Sequence, residues 1–239
     1  MMTIFRREIG QYFASPIAYL IAAAFLLVTG LIFNNDLTSA IGNRAPDPAA
    51  VPLFLSFAMV FFAPLLTMRM LAEETREGTL ELLLTAPVTD TNIVLGKFLS
   101  AWAYYSVLLL VALITQIVVL SSIATPDLGH TFAAYLGIWL YGGAALAVGV
   151  LFSATTENQI VAAFLSMSFL LLMWLGDLAG EIVGSIELAN LIRKLSLQGH
   201  YGVSFAFGLV RAEDVVYYAG IIVIALFISI RIVESRRWR

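Results

Sequence analysis

Six charged side chains crowd one short stretch of this sequence. Arg69, Glu73, Glu74, Arg76, Glu77 and Glu81 fall at spacings that permit i,i+3 and i,i+4 ion pairs along a helix. Gly78 interrupts the helical pattern and Thr79 follows it. Leu80, Leu82, Leu83 and Leu84 then supply an apolar patch before Pro87 ends the segment. Thr89, Asp90 or Thr91 can cap the helix that comes next. A stretch acidic on one side and leucine-rich on the other suits a protein–protein contact made against a membrane. A juxtamembrane helix resting on its own bundle would carry the same pattern, and spacing alone leaves both readings open.

Other reactive constellations are missing. There is no cysteine, so no disulfide, thiol nucleophile or cysteine metal site is available. His130 and His200 are far apart and lack carboxylates at ligand spacing, a poor basis for a metal site. No G-x-x-x-x-G-K-[ST] phosphate loop occurs. The nearest string, L-G-K-F at 95–98, lacks the first glycine and the hydroxyl residue. No cofactor is therefore expected on this chain, and ATP and magnesium would have to bind a separate polypeptide. Asp177 is a lone carboxylate whose preceding residues do not complete the G-x-G-D motif of an intramembrane aspartyl protease, and no base is placed for a serine protease. The chain reads as a non-enzyme.

The elements that must position these residues follow from composition. Apolar residues make up 61% and charged residues 12% of the 239, against about 45–50% and about 25% in soluble domains. A soluble core could not hide that surface. The fold class expected is an all-α membrane protein in one transmembrane domain, 1–239. Six stretches reach the roughly 17–25 apolar residues that a span needs: 17–33, 51–68, 98–124, 132–155, 159–176 and 215–230. The first is longer than a signal-peptide core of about 7–15 residues and no A-x-A site follows, so it is read as a retained span. With the N-terminus inside, nine of the 13 basic residues fall on the cytosolic side, which predicts cytosolic N- and C-termini in a cytoplasmic membrane.

Around the spans, 1–15 reads as an amphipathic interfacial helix, with Ile4, Phe5, Ile9, Tyr12 and Phe13 on one side and Glu8 spoiling that side; a plain basic cap on the first span is the alternative. Segment 69–97 is the long cytosolic loop. Segment 177–214 is an outer amphipathic segment, with Leu178, Ile182, Ile186, Ala189, Ile192 and Leu195 at helical spacing. No span holds an ionisable residue in its central portion, which argues against an ion-coupled carrier. Thr115 and Gln116 are the strongest mid-span polar pair. They could line a substrate pathway, though an interhelical hydrogen bond is the favoured reading. Gly142, Ala145, Gly149 and Ser153 give the fourth span a small-residue face for close packing, within the protomer or across a dimer. A net charge of −3 with scattered basic residues gives no nucleic-acid signature.

The run E-E-x-R-E-G-T-L-E-L-L-L-T-x-P-V, from Glu73 to Val88, resembles the hallmark of type-2 ABC exporter permeases, in which this loop forms the coupling helix that enters a cleft of the ATPase. G-V-L-F-S-A-T-T-E-N-Q-I-V-A at 149–162 and R-I-V-E-S-R-R-W at 231–238 are similar to the gliding-motility and nitrous-oxide-reductase-maturation permeases. One departure is L-Q-G-H-Y at 197–201, where that subclass would have a Phe-Glu-His-Phe-like stretch. The resemblance implies an ATP-driven exporter permease with Glu73, Glu74, Arg76, Glu77, Gly78, Thr79 and Glu81 coupling it to a separate ABC ATPase. It also implies a second permease copy or a related membrane subunit as dimer partner, surrounding membrane lipid, and short re-entrant helices in 177–214. A membrane scaffold that anchors an ATPase for motility or assembly work without moving a solute is the alternative.

Overall fold

The structure is a computed structural model that describes residues 1–40, 45–80, 88–123, 127–182 and 186–236. Ten α-helices are described: α1 (Met2–Ala14), α2 (Pro16–Ala40), α3 (Ala50–Thr67), α4 (Ala72–Arg76), α5 (Asp90–Ile123), α6 (Leu128–Thr155), α7 (Gln159–Ile182), α8 (Ile186–Leu195), α9 (Leu197–Gly202) and α10 (Ala212–Arg236). A 3₁₀ turn at Phe205–Phe207 follows α9, and no strand occurs among the described residues. Six helices are long and apolar enough to cross a membrane: α2, α3 with α4, α5, α6, α7 and α10. The chain is thus a multi-pass, all-α membrane protein, and six crossings bring both chain ends to one side, the terminal side below.

Each boundary has a local cause. Ser15 is extended (ψ 125°) and ends α1, while Pro16 takes the first position of α2, where its missing N–H costs nothing. The Thr89 hydroxyl accepts from the Asn92 amide at 3.3 Å and caps α5. That helix therefore begins at Asp90, eight residues before its apolar stretch, and carries Lys97 inside its body. The Asp127 carboxylate accepts from the His130 amide at 3.1 Å at the head of α6, and Asn158 accepts from Ile160 at 2.9 Å at the head of α7.

Helix α6 is the centre of the bundle. Its small-residue face packs within the protomer: an added Cβ at Gly149 would strike the Thr67 hydroxyl on α3, and one at Gly142 would strike the Tyr105 ring on α5. Gln116, nearly sealed from solvent, accepts from the Tyr135 hydroxyl at 2.6 Å and donates to the Pro48 carbonyl at 3.1 Å, so it joins α5, α6 and the turn before α3. Thr115 points outward and returns its hydroxyl to the Val111 carbonyl at 2.8 Å.

The segment after α7 folds back over the opposite, far side. Ser196 caps α9 and also donates to the Met173 carbonyl at 3.0 Å. His200 sits 2.7 Å from the Asp214 carboxylate through Nδ1 and 3.0 Å from the Lys194 carbonyl through Nε2, and stacks on Tyr217. Tyr217 and Tyr218 donate to the carbonyls of Leu195 and Leu197 at 2.6 and 2.9 Å.

Candidate functional site: a charged junction on the terminal side

The acidic stretch does not form one continuous helix. α3 stops at Thr67, and the chain makes a tight turn through Leu71 before α4. That turn orphans backbone amides that a continuous helix would have paired. The Ser153 hydroxyl of α6 meets them, accepting from Leu71 and Ala72 at 3.0 and 3.1 Å and donating to the Met68 carbonyl at 3.1 Å. Gly149, one turn earlier on α6, lets Thr67 approach. The sequence motif's small residues thus fasten the α3–α4 turn to the bundle centre.

Beyond α4, the backbone reverses at Gly78 with φ +71°, a left-handed conformation that disfavours any residue with a Cβ. An added Cβ there would meet nothing within 4 Å, so space is not what requires the glycine. Helical structure resumes at Thr79 and Leu80. Glu81 and the leucines at 82–84 lie outside the described residues.

The candidate coupling residues split into two groups. Arg76, Glu77, Gly78 and Thr79 are contiguous and exposed. Glu73 and Glu74 instead turn inward to partners of their own chain. Glu73 accepts from Arg69 through a two-pronged pair at 2.8 and 3.1 Å, with Gln159 of α7 as a further hydrogen-bonding neighbour. Glu74 takes Arg7 of α1 at 2.8 Å and Lys97 of α5 at 2.9 Å, both on Oε1. Its other oxygen is buried without a hydrogen-bond partner among the described residues.

Lys97 is the hub. Its side chain is 2% exposed and lies 3.1 Å from Glu8, itself buried on the inward face of α1. Arg7 reaches both Glu8, at 2.6 Å, and Glu74. Two cations and two carboxylates thus neutralise one another where an isolated buried charge would be very costly. Burial works against the Arg7 charge, but the hydrogen bond and charge of Glu8, then the charge of Glu74, outweigh it and raise its pKa above the ordinary arginine value. Burial first, then the Glu8 charge, also push the Tyr12 hydroxyl well above the usual phenol range. It therefore stays a donor, and gives its proton to the Leu66 carbonyl at 2.7 Å.

Neither Glu8 nor Lys97 is among the coupling residues that the sequence suggests. Their signals were there: one carboxylate spoiling an otherwise apolar face at the N-terminus, and one lysine at the edge of a span. Each disfavours its own site alone, and each is what the other needs.

Between α1 and the end of α3 with α4 lies a cavity of about 640 Å³. Arg7, Glu74 and Glu77 line its polar wall, and Ile17, Ile21 and Leu65 its apolar one. No group of three or more His, Cys, Asp or Glu residues able to hold a metal occurs among the described residues.

Against known proteins, the family model described as ABC-2 family transporter protein matches residues 2–231. The search of curated proteins returned no match.

Proposed function

The chain belongs to the ABC-2 family of transporter proteins, and on that footing we propose that it is the permease subunit of an ATP-driven exporter whose ATPase is a separate polypeptide. The observation that carries the reading is the exposed apex Arg76, Glu77, Gly78 and Thr79, on a segment whose neighbouring acids are already paired within the chain. Arg76 and Glu77 offer charge to a partner, and the open space over Gly78 admits its backbone. The apex, together with Glu81, serves as the coupling segment. The terminal side faces the cytosol of a cytoplasmic membrane, where ATP and magnesium bind the ATPase. A second permease copy or a related subunit completes the pathway at a dimer interface amid lipid. The stretches at 149–162 and 231–238 support the gliding-motility and nitrous-oxide-reductase-maturation subclass.

The test is co-purification of the permease with a candidate ABC ATPase from the same organism, followed by vesicle flux driven by ATP. Arg76→Glu and Glu77→Lys are expected to lose the ATPase while the permease itself remains folded. Retention of the ATPase with undiminished stimulation in both variants overturns the docking reading. ATP hydrolysis without flux of any solute would instead favour an anchoring scaffold.

A further inference from the structure

We infer that Glu74 is not a docking residue but a positioning residue, the one through which movement of α4 reaches α1 and α5. The inference rests on the docking reading above and assigns what happens one step inside it.

Two bodies meet at Glu74. The first joins α1 to the head of α5 and does not need Glu74. Ile4 lies so close to α5 that a Cβ on Gly96 would sit 2.9 Å from its Cγ2. Glu8 pairs with Lys97 and Tyr12 stacks on Tyr104 with ring centroids 4.9 Å apart, while Tyr104 also donates to the Ala18 carbonyl at the head of α2 at 2.6 Å. The second body is the α3–α4 turn, pinned to α6 by Ser153 and braced by the Arg69–Glu73 pair. The cavity lies between the two. Tyr12 crosses to the Leu66 carbonyl, and Glu74 crosses to both a helix α1 cation and a helix α5 cation.

The kind of contact decides what is transmitted. Packing loses a quarter to a half of its attraction over a gap of about 0.5–1 Å. Attraction between partly buried charges falls only as the inverse of distance. An ionic hub beside a cavity therefore stays engaged through a stroke that would part a packed contact. Adjacent carboxylates divide the roles: Glu73 is held by Arg69 within the α3–α4 turn, and Glu74 hands displacement to α1 and α5. The apex next to them receives the ATPase.

The experiment uses the full permease–ATPase complex in lipid vesicles. It reads ATPase retention, thermal unfolding, and the ratio of ATP hydrolysis in the complex to that of the free ATPase. Glu74→Gln is expected to retain the ATPase and to lower that ratio by at least about fivefold, the low end of an ordinary coupling. Glu74→Asp restores part of it, and Arg7→Gln, which removes only the α1 arm, gives a smaller loss. The chain has no cysteine, so an Ile4→Cys/Gly96→Cys disulfide can be read cleanly. It lies within one body and leaves the ratio unchanged. A wild-type ratio in Glu74→Gln overturns the inference. So does loss of the ATPase in that variant, which would return Glu74 to the docking surface. A disulfide that abolishes coupling overturns the single-body assignment. Failure of the wild type to retain the ATPase overturns the docking reading itself, and this inference with it.

Discussion

The two ends of the bundle are fastened by different chemistry. On the terminal side, Arg7, Glu8, Glu74 and Lys97 neutralise one another beside a cavity, next to an exposed apex. On the far side, tyrosine hydroxyls and histidine nitrogens reach mostly backbone carbonyls, and rings stack on rings. Hydrogen bonds to carbonyls are short-ranged and directional, and they fix one geometry. Mutually compensating charges tolerate displacement. The far side is therefore built as a closed cap and the terminal side as a joint.

The largest expected effect breaks the joint. Lys97→Met leaves Glu8 and Glu74 facing a single shared arginine, and should cost about 3–5 kcal/mol of stability in thermal unfolding in detergent. Adding Glu8→Gln to it should recover a substantial part of the loss, because the orphaned charge goes with it. If Lys97→Met costs no more than the far-side change below, the comparison fails.

His200→Phe keeps the stack on Tyr217 but deprives buried Asp214 of its one described partner. The expected loss is about 3 kcal/mol, the upper end for an orphaned polar group because this one is a carboxylate. Unlike Lys97→Met, it should leave stimulation of the ATPase intact in whatever protein remains folded. Ser153→Ala orphans the amides of Leu71 and Ala72 together and should cost about 2 kcal/mol, the low end for two such groups. Its loss of coupling should exceed what its stability loss alone would give. The smallest effect is expected of Thr115→Val, whose outward hydroxyl bonds only its own helix: within about 0.5 kcal/mol and without change in flux. A large loss of flux there would instead place Thr115 on the pathway proposed at the dimer interface, which an outward-facing residue can reach.

Most of the fold was legible in the sequence because spans are read from length and apolarity, and lipid leaves the backbone few alternatives. Where described, each of the six apolar stretches falls on a helix to within a residue, although α5, α2, α7 and α10 run beyond them. Capping explains the first, since Thr89 starts α5 ahead of its apolar part. The Gln116 interhelical bond and the break at Gly78 were legible too, each from one residue with a narrow range of roles. The division of the acidic stretch was not. Arg69, four residues earlier, accounts for Glu73, but only the position of Arg7 and Lys97, 67 and 23 residues away in the chain, separates Glu74 from Glu77. Long-range pairing of that kind leaves no periodic trace.

The Ser153 hydroxyl also sets a clock. By taking two amides at the α3–α4 turn it should slow their exchange with solvent deuterium to the rate of the bundle centre, since such protection follows the free energy of local opening. Arg76 to Thr79 stand exposed and should exchange much faster. The boundary between slow and fast amides would then mark where the lever begins, and binding of a partner at the apex should move it.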